Sequence, residues 1–235
     1  TITVNSKIIF KLIDKTKFAI SNEETRYFLN GLYFNITKEK DNSIVTLVGT
    51  DGHRLAKFSH NIEENIDQVS GVIIPKKTIY ELSKLLSETD QDVLISISSN
   101  KIVFTFDNII FFSKLIDGSF PDYNRVIPKE NTNILKINRS ILLSAVDRVS
   151  TIANEKAPVI KFKLFKDILN LNTINNESST ASEDLKINYD GDEIEIGFNS
   201  KYIMDIVNNL EDEEISINLK DNTSPIIALE NSNSN

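Results

Sequence analysis

The residues with the greatest chemical potential in this chain are grouped at Thr50-Asp51-Gly52-His53-Arg54-Leu55-Ala56 and, about sixty residues later, at Asp117-Gly118-Ser119-Phe120-Pro121-Asp122-Tyr123. Asp51 and His53, with a serine such as Ser59 or Ser113, are the raw material of a hydrolytic triad. A triad also needs a nucleophile on a strained turn and preorganised oxyanion donors, and no nucleophile elbow or Gly-rich oxyanion turn accompanies these residues. The seven glycines form no phosphate loop. The carboxylate pairs Glu23-Glu24 and Glu63-Glu64 lie in polar stretches, where solvation is the expected state. Without a single cysteine the chain can build no disulfide, thiolate metal site or cysteine nucleophile, and two histidines, His53 and His60, cannot make a histidine-rich metal site. An enzyme is therefore the disfavoured class, no cofactor or metal is expected, and the two groups read as the edges of a binding scaffold.

Both groups fall between strand patterns. Asp51-Gly52 predicts a tight primed turn joining Ile44 to Val48 and Leu55 to Phe58. The second group predicts a loop after a strand, kept extended by Pro121.

The elements around them occur twice. Ile2 to Asn5 leads into a helix over Ile8 to Lys17, with Ser6 as its cap and Ile9, Leu12 and Ile13 at helical spacing. Ile134 to Asn138 leads likewise into Ser140 to Val149, with Asn138 as the cap and Leu142, Leu143 and Val146 on the stripe. The continuations around Asn22 and Asn154 keep an offset of 154 − 22 = 132 residues. Strand-like alternation follows at Tyr33 to Ile36 in the first half, and at Ile160 to Phe165 and Ile168 to Leu171 in the second. A second helix follows in each half: one enters at Pro75 with Ile79, Leu82, Leu85 and Leu86 on one stripe, the other over Lys201 to Leu210 is capped by Asn199 or Ser200. Strands then recur at Val93 to Ile97 and Ile215 to Leu219. Lys101 to Phe106, a turn at Asp107-Asn108 and Ile109 to Leu115 close the first half, whereas the second ends in Ile226 to Leu229 and a polar tail, so its final strand is missing from the repeat. Asn175 to Ser182 reads as a mobile loop.

The expected fold class is α+β: two repeated domains, each with two helices packed on antiparallel sheets, dividing near the polar stretch Lys129 to Asn133 into domains 1–129 and 130–235. A hydrophobic content of 40% over 235 residues suffices for two such cores. No apolar run approaches bilayer length, so the expectation is a soluble, cytoplasmic protein. The net charge of −8 argues against a simple non-specific nucleic-acid binder; a chain like this meets DNA only if its cations are segregated on one face.

Six segments, in order and in register across the repeat, resemble the bacterial sliding clamp, the β subunit of DNA polymerase III. They are Arg26-Tyr27-Phe28-Leu29-Asn30-Gly31, Thr50 to Ala56, Ser113-Lys114-Leu115, Phe120 to Tyr123, Asn154-Glu155-Lys156 and Ile196-Gly197-Phe198-Asn199. The resemblance covers the family's middle and C-terminal domains and implies the DNA clamp fold. It implies a polymerase processivity factor, a non-enzymatic ring that encircles double-stranded DNA without reading sequence. Its implied partners are the DNA polymerase III catalytic subunit, the clamp loader and other peptides carrying a clamp motif. The full-length protein would be a head-to-tail homodimer in the bacterial cytoplasm, on the nucleoid during replication. The rival non-enzymatic reading is a peptide-binding module that does not encircle DNA.

The resemblance also assigns residues. A peptide-binding cleft between the middle and C-terminal domains is implied at Leu29, Thr50, Gly52, His53, Arg54, Leu55, Pro121, Arg125, Val126, Asn199, Tyr202, Thr223 and Pro225. Leu29, Leu55 and Val126 would receive apolar side chains while Arg54, Arg125 and Asn199 orient the peptide. A plain solvated turn is the competing reading of Asp51 to Arg54, and core packing that of Tyr202. Ala157 and Pro158 stand where the family often has bulky or basic residues, and the family's Met-Pro-Met-like last strand is absent. A DNA-facing set is implied at Lys7, Lys11, Arg26, Tyr27, Lys76, Lys77, Arg139 and Lys201, against the alternative that the lysines are solvated helix faces and that Tyr27 packs with its neighbours.

Overall fold

The computed structural model describes residues 1–235 except 40, 41, 63–68, 155, 175–178 and 232–235. Glu63-Glu64, Glu155 of the Asn-Glu-Lys segment, the first part of the Asn175 loop and the last four residues thus lie outside the described residues. The chain divides into two compact units, Thr1–Pro121 and Asp122–Asn235. That division falls ahead of the Lys129 to Asn133 stretch.

In the first unit β1 (Ile2–Asn5) runs into α1 (Ser6–Asp14), then come β2 (Gly31–Glu39), β3 (Asn42–Thr50), β4 (Leu55–Ile62) and β5 (Val69–Pro75). α2 (Lys76–Leu86), β6 (Asp92–Ile97), β7 (Lys101–Phe106) and β8 (Ile109–Lys114) complete it. The second unit repeats the plan with β9 (Asn133–Asn138), α3 (Arg139–Ser150), β10 (Val159–Phe165), β11 (Ile168–Ile174), β12 (Thr180–Lys186), β13 (Ile194–Asn199), α4 (Ser200–Asn208), β14 (Glu214–Leu219) and β15 (Ile227–Glu230). The sheet order β4-β3-β2-β5 recurs as β12-β11-β10-β13, and β1-β6-β7-β8 recurs as β9-β14-β15. Every registered strand pair is antiparallel. The α+β fold with two helices and antiparallel sheets per unit is thus as the sequence leads one to expect.

The cores follow from the apolar periodicity. Ile9, Leu12 and Ile13 of α1 and Ile79, Leu82 and Leu86 of α2 meet Phe34, Leu47, Val93 and Phe104 of the sheets. Leu142, Val146 and Val149 of α3 and Ile203 and Val207 of α4 do the same with Phe162, Leu171 and Ile217. Within each unit the helices also pack on each other, α1 on α2 and α3 on α4. Their polar faces are left to solvent.

Several local expectations are corrected. The cap of α1 is Asn5, whose side chain accepts from Lys7 N at 3.0 Å; Ser6 is buried and donates its hydroxyl to Thr89 O. An asparagine serves all three capped helices, since Asn138 accepts from Ser140 N and Ile141 N and Asn199 from Lys201 N. α1 ends at Asp14, and Lys17 begins a separate 3-10 turn, Lys17–Ala19. Residues 180–182 of the expected loop belong to strand β12. Ile196 to Phe198 lie in strand β13 and enter α4 through Asn199.

Candidate binding surfaces

The Thr50 to Ala56 segment is not a two-residue primed turn. Thr50 pairs with Leu55, leaving four residues in the loop, and only Gly52 of these has a positive φ, +86°. Asp51 explains the difference. Its Oδ1 accepts from His53 N at 2.9 Å and Arg54 N at 3.0 Å, its Oδ2 from Arg54 Nε at 3.1 Å, so one carboxylate closes the turn that an Asp-Gly dipeptide alone would have made tighter. Thr50 adds a second clasp, its hydroxyl donating to Arg54 O at 2.7 Å and accepting from Gly52 N at 3.1 Å. Arg54 is drawn inward, donating to Phe18 O at 3.0 Å with its guanidinium 5.4 Å from the Phe18 ring centre. His53 is left exposed at the tip.

Two further segments meet this turn's surroundings through residues 26–29, a 3-10 turn over Tyr27–Leu29 preceded by Arg26. Arg26 binds both Glu23 carboxylate oxygens at 2.8 and 2.7 Å and donates to Asp51 O at 2.9 Å. The pairing holds the Glu23 carboxyl below its usual range and raises the guanidinium, in each case chiefly through their mutual hydrogen bond. A methyl carbon on Gly52 would fall 2.2 Å from Arg26 Nη1, and one on Gly118 would fall 3.3 Å from Phe28 Cβ. Phe120 stacks on Tyr33 with ring centres 4.9 Å apart, which fixes the approach to Pro121. The first unit therefore brings Leu29, the 50–55 turn and the 117–121 loop around one short segment. Leu29 itself is 3% exposed, so it floors this region, while Leu55 is half-buried and Pro121 exposed. A glycine is required at 52 on two counts, positive φ and the guanidinium beneath it. Gly52→Ala is expected to cost about 1–2 kcal/mol of first-unit stability, measured by denaturant unfolding.

In the second unit Arg125 ends a 3-10 turn, Tyr123–Arg125, that Val126 follows, and Arg125 pairs with Asp122 at 3.0 Å. Val126 is 59% exposed. Asn199 is committed to capping α4 and Tyr202 is half-buried on that helix. Thr223 and Pro225 flank Ser224 in a loop tied by Asp221, which accepts from Thr223 N and Oγ1 and from Ser224 N and Oγ. Those four bonds hold the Asp221 carboxyl far below the ordinary range. Pro225 O accepts from Asn131 Nδ2 at 2.9 Å.

Of the cations, Lys7, Lys11, Lys77 and Lys201 are exposed on their helices, away from the buried stripes. Lys7 pairs with Asp90, and Lys11 lies 5.8 Å from the Phe58 ring centre. Lys76 donates to Asn22 Oδ1 and sits over Tyr80. Arg139 is half-buried, its Nε without a hydrogen-bond partner among the described residues. Tyr27 is 54% exposed and meets Phe28 edge-on.

A tandem α+β unit of this topology is the architecture of a DNA clamp. A sliding clamp, DNA polymerase III subunit beta, from Bartonella birtlesii bound to griselimycin superposes with a TM-score of 0.94 at 44% identity over 99% of this chain and 63% of that one. Residues 3–122 match the central domain of the DNA polymerase III beta subunit and residues 124–235 its C-terminal domain. The chain belongs to the DNA polymerase III beta subunit family. The beta sliding clamp of Caulobacter vibrioides is 39% identical over 229 residues, 97% of this chain and 62% of that protein, and the Escherichia coli clamp is 36% identical over 216 residues, 92% and 58% respectively. The chain thus spans about three fifths of the length of these relatives. No helix among the described residues is long and apolar enough to cross a membrane.

Proposed function

We propose that this chain supplies the middle and C-terminal domains of a DNA polymerase processivity factor, which encircles duplex DNA and tethers polymerase and other partners by their peptides. The observation that carries the reading is the match of both units, each over nearly its whole length, to consecutive domains of one clamp family. The proposed partners are duplex DNA, the polymerase III catalytic subunit, the clamp loader and a second copy of the full-length protein. The proposed place of action is the bacterial cytoplasm, on the replicating chromosome. A topological tether needs little intrinsic affinity for DNA. Exposed helix lysines such as Lys77 and Lys201 would meet phosphates without reading bases, which permits sliding, and the acidic balance elsewhere keeps the contact weak. The peptide role falls to the 50–55 turn with Pro121, and, by resemblance, to Arg125, Val126, Asn199, Tyr202, Thr223 and Pro225.

The test is salt dependence. Binding of a short linear duplex by the 235-residue chain is expected to be weak and to fall steeply between about 50 and 200 mM salt. Each lysine that meets a phosphate contributes about 0.9 to the log–log slope, so replacing Lys77 and Lys201 together by alanine should flatten it by about 2. An unchanged slope would remove these lysines from the DNA face, and salt-resistant binding would contradict the sliding mechanism.

A further inference from the structure

We propose that Arg26 is a positioning residue for the Thr50 to Leu55 turn, clamped in place by Glu23, and is not one of the cations that meet DNA. The proposal rests on the clamp reading above and divides the labour within it. Resemblance groups Arg26 with the DNA-facing lysines, yet its bonds run into its own unit. Nε and Nη2 bind the two oxygens of Glu23, and Nη2 also donates to the Asp51 carbonyl. Nη1 fills the space that a side chain at residue 52 would occupy. The planar fork matters because it serves a carboxylate and a carbonyl at once, which a single ammonium cannot do with the same geometry.

The backbone that carries Glu23 is itself anchored. Its backbone N–H donates to Ser21 Oγ at 3.1 Å and its carbonyl accepts from Asn30 Nδ2 at 3.0 Å, while Lys76 ties the adjacent Asn22 to the start of α2. A phosphate approaching Arg26 would meet a carboxylate already seated on the guanidinium. A phosphate would have to displace Glu23 from the Nε and Nη2 edge that it already fills, so a DNA role and the ion pair that seats Arg26 compete for one side chain. Three features favour the turn. The Glu23 carboxylate neutralises the charge, the contact to Asp51 is direct, and the glycine at 52 leaves room for the guanidinium.

The test compares Arg26→Ala, Arg26→Lys and Glu23→Gln in the 235-residue chain. Three quantities are read: amide hydrogen exchange at His53 and Arg54, affinity for a short linear duplex at low salt, and the thermal midpoint of the first unit. Arg26→Ala should speed exchange at both amides about tenfold or more, with the midpoint and exchange elsewhere nearly unchanged and duplex affinity within twofold of the parent. Arg26→Lys should recover part of the protection, and millimolar methylguanidinium should restore it in Arg26→Ala, a rescue that a general loss of packing would not show. Glu23→Gln should loosen the turn and leave duplex affinity within twofold. Unchanged exchange in Arg26→Ala, weakening of duplex binding beyond twofold, or tighter duplex binding in Glu23→Gln would each overturn the proposal. If the parent chain binds no duplex at all, the clamp reading fails separately, and exchange at His53 and Arg54 still decides whether Arg26 holds the turn.

Discussion

On the proposed peptide role, replacing Leu55 by aspartate is expected to weaken binding of peptides taken from the polymerase III catalytic subunit about 30-fold or more, while Lys57→Ala leaves it nearly unchanged. Leu55 opens β4 beside the Asp51 turn and is half-buried, so its apolar surface is available to a ligand but stays in contact with the protein. Lys57, two positions on along the same strand, is exposed. In short-peptide recognition an apolar anchor in a pocket carries most of the energy and rim charges carry little. A charged group at the anchor should cost at least about 2 kcal/mol, roughly a 30-fold loss of affinity. Calorimetry on both variants checks this, with the thermal midpoint of the first unit as the control for folding. Equal affinities would remove the peptide role from this surface.

The second large effect concerns independence of the two cores. Phe162 is 1% exposed at the centre of the second core, edge-on to Phe198 at 5.0 Å between ring centres, and belongs to a cluster drawn wholly from residues of the second unit. Phe162→Ala should destabilise that unit by about 3–5 kcal/mol. For a unit of this size that is a fall of about 15 °C or more in its midpoint. Hydrogen exchange in α1, α2 and β3 should be unaffected, because their apolar residues lie in the other cluster. Loss of protection in both units at once would show a single cooperative core.

Elements with strong periodicity were readable from the residues. The stripes of α1 to α3, the exact span of β7 and the Asp107 turn follow from alternation and helical spacing, and the repeat follows from seeing the plan twice. β12 was not readable, because Thr180 to Lys186 is a polar strand in which Leu185 is the only strongly apolar buried member. β5 is similarly broken by Ser70 and Gly71, the latter leaving space for the Tyr33 ring. The cap of α1 was misplaced by one residue because both Asn5 and Ser6 suit that position, and only tertiary structure turns Ser6 toward Thr89.

Turn chemistry marks the 50–56 and 117–123 groups, while the other candidate positions rest on the family resemblance. The contacts that support the turn were not legible. Nothing local tells that Arg26 reaches Asp51, that Phe28 lies under Gly118, or that Phe18 receives Arg54, because these contacts join segments far apart in the chain. The one local clue was a glycine at position 52, which a four-residue loop closed by Asp51 requires for its φ and which the guanidinium beneath requires for its space.

The strand order carries a consequence for how each unit is made. β2, β3 and β4 are neighbours in sequence and in space, as are β10, β11 and β12, so these meanders can form as soon as their residues exist. β1 must instead wait for β6, Ile2 facing Ile95, and β9 for β14, Asn133 facing Leu219. Each of those pairings closes a long loop, the step for which chain entropy is greatest. On a ribosome, the first core therefore becomes complete only after β6 and then β7, which brings Ile102, Phe104 and Phe106, have emerged, and it can then close while the second is still unsynthesised.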